Sequence, residues 1–252
     1  MKSEIESILK PGTVAMVTGA SSGIGRSTAR ALADLGLRVI CTARSMERLE
    51  PVVSELGDKG YGIALNVNDE DGIRGALKAL PDDWQNIDIL VNNAGHDAGG
   101  WQLFQDLKMT DSEQVIETNV IGLIRMTAHV IDGMLERNRG HIVNIGSTSG
   151  FTPLQKSSVY CASKFAVRGF TESLRKDVAD TRLRVTEIDP GVVITDFALN
   201  RYKGDKAAAR EFVESYPQGL SPEDIARAIV FALQQPPGVM INRIVIEPTF
   251  NG

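Results

Sequence analysis

Apolar runs of four to six residues alternate along this chain with helix-period segments of 10 to 25 residues, and no other feature narrows the fold as much. Val14–Thr18, 38–42, 62–66, Ile87–Asn92, 141–145, 184–188 and 241–247 read as strands. Segments 25–35, Met46–Leu56, 69–80, 112–137, 159–179 and Pro222–Gln234 read as helices, with stops at Gly36, Pro81 and 138–140. Such alternation implies βαβ units and a parallel sheet buried on both faces. The prediction is α/β: a Rossmann-type doubly wound sheet with helices on both faces, in a single domain over residues 1–252. No repeat or linker divides it. In such sheets ligands lie beyond the carboxyl ends of the strands, so the residues that follow each strand are the ones to read.

Composition excludes several classes. Lysine plus arginine is 27 against 32 aspartates and glutamates, a formal net charge of -5, the reverse of a nucleic-acid binder's balance. Cys41 and Cys161 are too few for a disulfide framework and stand outside any CxxC or Cys/His cluster. They read as buried thiols of a reducing compartment, and no metal ligand set is read. No apolar run approaches the roughly 18 residues of a membrane span. The charged opening Met1-Lys2-Ser3-Glu4-Ile5-Glu6 lacks the apolar stretch of a secretory signal. A cytoplasmic enzyme or binding domain is expected, and residues 1–12 receive no role.

The first strand runs into Thr18-Gly19-Ala20-Ser21-Ser22-Gly23-Ile24-Gly25 and then a helix. This Gly-x3-Gly-x-Gly turn meets the needs of a dinucleotide pyrophosphate: a tight turn, close backbone approach, and amides at a helix N-terminus. The second strand ends at Thr42-Ala43-Arg44, where an NAD-selective fold places an acid on the ribose diol. The guanidinium of Arg44 suits a 2′-phosphate instead, which points to NADP. Asn66, with Val67 beside it, stands where an adenine edge would lie, or else caps its own loop. Asn92-Asn93-Ala94-Gly95 supplies small residues for a ribose after the fourth strand.

Tyr160 and Lys164 stand at i and i+4, on one face of a predicted helix. A phenol of pKa about 10 is a poor base at neutral pH, and lowering it by three units needs about 4 kcal/mol. A neighbouring ammonium and an oxidised nicotinamide can supply that stabilisation. Ser147, 13 residues before Tyr160, can hydrogen-bond a substrate oxygen. Asn119 is a poor interior helix former whose carbonyl can hold a relay water. Each has an ordinary reading too: a surface helix pair, a helix cap, a groove-filling polar residue.

In order and spacing, the turn Thr18 to Gly25, the Asn92 to Gly95 run, Asn119, Ser147, Tyr160-x3-Lys164 and Pro190-Gly191-Val192-Val193-Ile194-Thr195 resemble the short-chain dehydrogenase/reductase family over nearly the whole chain. The resemblance implies that Tyr160 is the catalytic acid/base and that Ser147 orients the substrate oxygen. It makes Lys164 the residue that binds the nicotinamide ribose and lowers the tyrosine pKa, and gives Asn119 the relay. Pro190, Gly191, Val193 and Thr195 would line the nicotinamide. Two positions depart from the family pattern. Asn66 stands where Asp is frequent, and Ser22 where many NADP-using members are basic, so the NADP preference rests on Arg44. Members are commonly tetramers, and a homotetramer or homodimer is expected on the two long helices.

The 196–216 segment falls where the family keeps its substrate lid, and it carries Arg201, Tyr202, Lys203, Lys206 and Arg210. Basic groups there suggest a small anionic substrate, or else a solvated helix surface. Ser149, Arg201 and Lys203 join Ser147 and Tyr160 as candidate substrate contacts, while His96 reads as a polar loop residue. The lid and the 241–249 segment resemble the NADP-dependent 3-hydroxy acid dehydrogenases, which act on serine, allo-threonine and similar acids. Reductases of small sulfonated aldehydes such as sulfoacetaldehyde are similar in appearance, and a 3-oxoacyl reductase would want a longer apolar groove. An NADP(H)-binding sensor without turnover is the alternative of another class; it would have no use for the acid/base set.

Overall fold

A computed structural model of the chain describes residues 8–99 and 101–249. Its strands are β1 (Val14–Thr18), β2 (Arg38–Ala43), β3 (Gly60–Ala64), β4 (Ile87–Asn92), β5 (Gly140–Ile145), β6 (Leu183–Pro190) and β7 (Arg243–Ile246). Among the described residues they form one parallel seven-stranded sheet in the order β3-β2-β1-β4-β5-β6-β7. The order reverses between β1 and β4, which opens a crevice at the carboxyl ends of those strands.

The helices are α1 (Gly23–Asp34), α2 (Met46–Leu56), α3 (Glu70–Lys78), α4 (Met109–Ile116), α5 (Leu123–Glu136), α6 (Ser158–Asp177), α7 (Phe197–Arg201), α8 (Lys206–Glu214) and α9 (Pro222–Gln234). Side chains alternate across a strand, so β1 sends Ala15 and Val17 to one face and Val14 and Met16 to the other. The first face packs against Leu32 of α1, Leu49 and Val52 of α2 and Ile229 of α9. The second packs against Ile73 of α3, Met126 and Met134 of α5 and Leu174 of α6. Both faces are therefore covered, as the continuous apolar strands require.

Three elements differ from the sequence expectation. The third strand begins at Gly60 rather than at 62. A Cβ at Gly60 would lie 2.8 Å from Leu56 Cβ, and one at Gly62 would lie 2.9 Å from Val53 Cγ2, so α2 rests directly on these positions and only glycines pass beneath it. The segment predicted as one helix over 112–137 starts at Met109 and is interrupted by a π-helical stretch, Glu117–Gly122. Segment 196–216, read without an element, carries α7 and α8.

A buried polar chain fastens α5 and α6 to the sheet just below the crevice. Asn92 Nδ2 donates to Thr127 Oγ1 and to Asn144 Oδ1, each at 2.9 Å, and Asn144 Nδ2 donates to Thr171 Oγ1 at 2.9 Å. Deleting one member would strand its neighbour at a cost of about 1–3 kcal/mol. Among the described residues no helix is long and apolar enough to cross a membrane.

Candidate active site

The floor of the crevice is the turn between β1 and α1. Gly19 (φ +67°) and Gly23 (φ +51°) adopt left-handed backbone, and a Cβ at Gly25 would sit 2.3 Å from the Gly19 carbonyl oxygen. Asn93 Nδ2 donates to the carbonyls of Thr18 (2.8 Å) and Gly19 (3.2 Å), while Thr18 Oγ1 accepts from the N–H groups of Asn93 and Ala94, each at 2.9 Å. Asn93 thus braces the turn with its side chain, leaving the Ala94 and Gly95 backbone to line the crevice. The N-cap Ser22 makes no side-chain cap bond, and the first turn of α1 holds no acid. Helix amides of that kind, with Ser21 and Ile24 alongside, suit a pyrophosphate. Thr195 closes over the turn, its Cγ2 3.1 Å from where a Gly23 Cβ would be. That contact brings the segment from Pro190 and Gly191 through Val193 across the same crevice; Gly191 N donates to the Ile246 carbonyl at 2.7 Å, and Val193 bridges Leu220.

Arg44 is exposed at the end of β2 and makes no ion pair or hydrogen bond among the described residues. It stands where the sequence places a 2′-phosphate ligand. Asn66 is less available than expected: its Oδ1 accepts from Asn68 N–H at 3.2 Å, so it caps its own loop. Val67 is buried against Gly122, where an added Cβ would come within 2.6 Å of its Cγ2.

Ser147 follows β5, and its N–H donates to the buried Asp189 carboxylate at 3.0 Å. Its Oγ accepts from Ser149 N–H at 3.1 Å, which leaves the hydroxyl proton free to be donated outward. Tyr160 and Lys164 share a face of α6, with Lys164 Nζ 5.7 Å from the phenol ring centroid and 2.9 Å from the Ile145 carbonyl it donates to. Burial pushes the phenol up to about 12, opposed by the Ser147 hydroxyl and the Arg201 guanidinium. Burial lowers Lys164 to about 8, opposed chiefly by the Asp189 carboxylate. Arg201 is thus a second cation beside the phenol, its guanidinium carbon 5.9 Å from the ring centroid.

Asn119 lies on the π-helical stretch. Its Oδ1 accepts from His96 N–H (2.9 Å), while Nδ2 donates to the His96 carbonyl (2.9 Å) and to Ser163 Oγ (3.1 Å). Both ends of the side chain are thus committed to holding the loop after β4 against α6.

Arg201 of α7 enters this site; the sequence places it there, but not its partner. Its Nε donates to Asp97 Oδ2 at 2.8 Å, and both side chains are 8% exposed. Trp101, Phe197 and Phe212 surround the guanidinium, and Tyr160 lies with its ring centroid 5.9 Å away. Lys203 instead pairs with Asp111 at 2.5 Å and is half exposed. Asp97, Trp101, Phe197, Phe212 and Asp189 were not singled out from the sequence. For Asp97, Trp101 and Asp189 no spacing signal exists, because their partners lie far away along the chain.

The family model described as short chain dehydrogenase matches residues 13–206. The NADP-dependent 3-hydroxy acid dehydrogenase of Escherichia coli K12 is 42% identical over 236 residues, covering 93% of this chain and 94% of that protein. The NADP-dependent 3-hydroxy acid dehydrogenase of Schizosaccharomyces pombe is 39% identical over 247 residues, covering 96% and 94%. Among solved structures, the closed form of serine dehydrogenase complexed with NADP+ matches with a TM-score of 0.91 at 41% identity, covering 95% of this chain and 98% of that one. The serine dehydrogenase from Escherichia coli matches at 0.82 and 39% identity, covering 93% and 97%.

Proposed function

The chain belongs to the short-chain dehydrogenase family and is an NADP-dependent oxidoreductase, and from that premise we propose that it transfers a hydride between NADP(H) and the hydroxyl-bearing carbon of a short 3-hydroxy acid. The observation that carries the substrate class is Arg201. Among the described residues its guanidinium makes one hydrogen bond, from Nε, so the fork of its terminal nitrogens, beside Tyr160, has no acceptor in the protein. A carboxylate fills such a fork in two parallel hydrogen bonds.

A bound, oxidised nicotinamide would supply the hydride acceptor and a positive charge in the cleft. Tyr160 takes the hydroxyl proton when the alcohol is oxidised and returns it when the carbonyl is reduced. Burial, which raises the phenol to about 12, suits the donor role. For oxidation, Arg201, Ser147 and the cofactor's charge stabilise the phenolate together. Ser147 donates to the substrate oxygen, its own Oγ already fixed by Ser149. Lys164, held on the Ile145 carbonyl, has two further N–H groups for the ribose hydroxyls. The relay role of Asn119 falls to its main-chain carbonyl, since its side chain is occupied.

Gly19, Ser21, Ser22, Gly23, Ile24 and Gly25 would hold the pyrophosphate, Arg44 the 2′-phosphate, and Asn66 with Val67 the adenine side. Asn93, Ala94 and Gly95 would face a ribose, and Pro190, Gly191, Val193 and Thr195 the nicotinamide. The exposed Phe165 on α6 and Phe231 on α9 support a homodimer or homotetramer. The free, buried Cys41 and Cys161 suit a cytoplasmic setting.

The test is nicotinamide absorbance with serine, allo-threonine, 3-hydroxyisobutyrate, isethionate and uncharged alcohols, each offered with NADP and with NAD, and with sulfoacetaldehyde in reverse. Turnover of carboxylates with NADP supports the proposal. A preference for the sulfonates moves the assignment to a sulfonated-aldehyde reductase, and activity on neutral alcohols alone overturns the role of Arg201.

A further inference from the structure

A site built only to attract an anion has no use for a carboxylate beside its arginine, yet Asp97 is there. Asp97 and Arg201 are both 8% exposed, come from the loop after β4 and from the lid, and meet at 2.8 Å. Burial raises the Asp97 pKa and the Arg201 guanidinium pulls it back down. The pair is walled by aromatic rings: Trp101 at 5.6 Å, Phe197 at 5.4 Å and Phe212 at 4.9 Å from the guanidinium carbon. These rings screen the charges poorly and accept no strong hydrogen bond, so a ligand's charge is felt by both partners.

Together the pair is neutral. A simple 3-hydroxy acid anion placed on the free fork of Arg201 brings a net negative charge next to the buried Asp97. A zwitterion brings none, and its two charges sit on one carbon, as Arg201 and Asp97 sit side by side. We infer that Asp97 is a specificity-determining residue that receives the α-ammonium of the substrate while Arg201 receives the carboxylate, so that 2-amino-3-hydroxy acids are selected over 3-hydroxy acids without the amine. With both charged ends held, the adjacent hydroxyl-bearing carbon is the part left to reach Ser147 and Tyr160. The inference rests on the 3-hydroxy acid reading above and narrows it.

The test compares serine with 3-hydroxypropanoate, which differ by the α-amine alone, using the full-length enzyme at saturating NADP. The parent enzyme should show a higher kcat/KM for serine. Asp97→Asn should lower the serine value by roughly 30-fold, chiefly through KM, and leave 3-hydroxypropanoate equal or better. Equal losses on both acids would reduce the pair to a lid fastening and overturn the inference, as would a parent enzyme indifferent to the amine. Neither acid turned over by an enzyme that binds NADPH would instead sink the 3-hydroxy acid reading, and this inference with it. NADPH fluorescence titration shows whether Asp97→Asn keeps its fold; if it does not, the parent serine preference decides alone.

Discussion

Glu187 on β6 is the buried acid whose titration should be visible in stability. It is 1% exposed, and neither carboxylate oxygen has a hydrogen-bond partner among the described residues. Asp189, two residues on and facing the same way, is already engaged by Arg243 and by the Ser147 N–H. Burial first, and the Asp189 charge second, push Glu187 well above its ordinary value of 4.5. Folded protein then keeps a proton that the unfolded chain has released, so stability falls as pH rises from about 4.5 and levels off above the raised native value. A displacement of two pH units already corresponds to about 3 kcal/mol. Glu187→Gln keeps the shape, removes the titration and offers an amide donor to Asp189. It should be more stable than the parent by about 3 kcal/mol near pH 8, with the gain vanishing near pH 5. Urea unfolding across that range measures it. A variant less stable near pH 8, or a difference that does not change with pH, would refute the placement of Glu187 as a neutral buried acid.

Four further outcomes follow from the same geometry. Arg44→Ala should weaken NADP(H) use by roughly 10- to 100-fold while sparing NAD(H), read as the ratio of kcat/KM values; an unchanged ratio would remove Arg44 from the cofactor site. Gly25→Ala should abolish NADPH binding, because its Cβ would meet the Gly19 carbonyl at 2.3 Å, whereas Gly169→Ala, with nothing within 4 Å, should bind normally and unfold at a slightly higher urea concentration. Tyr160→Phe should lose turnover by roughly 100-fold or more yet retain NADPH binding; a variant that turns over normally would end the acid/base assignment. At saturating NADP, the KM for the acid substrate should change less than about threefold between low salt and roughly 0.5 M, since the recognising charges are buried; a steep rise would mean that exposed lid cations steer it.

A parallel sheet with helices on both faces was legible because short apolar strands alternate with helices, and most cofactor candidates follow a strand, where such a fold puts ligands. What escaped is long-range. Gly60 falls outside the strand read from the sequence, and the need for glycine at 60 and 62 shows only when α2 is seen lying on them. Asn119 stands out as an awkward helix residue, but its purpose shows only when the π-helical stretch aims it at His96, 23 residues back. Asp97 and Arg201 are separated by 104 residues, and composition counts their charges without saying that they cancel.

The lid shows why counting charge by segment misleads. Four cations stand in 196–216, and three of them have partners within the protein. The Arg210–Glu214 pair has side chains 79% and 61% exposed and is worth little. Lys203–Asp111 is half in water. Only Arg201–Asp97 is removed from solvent, where breaking one partner away costs several kcal/mol. An arginine alone there would be buried uncompensated. Asp97 supplies the opposite charge from within the protein, so selectivity in the proposed reaction passes to whichever ligand can satisfy both members of the pair at once.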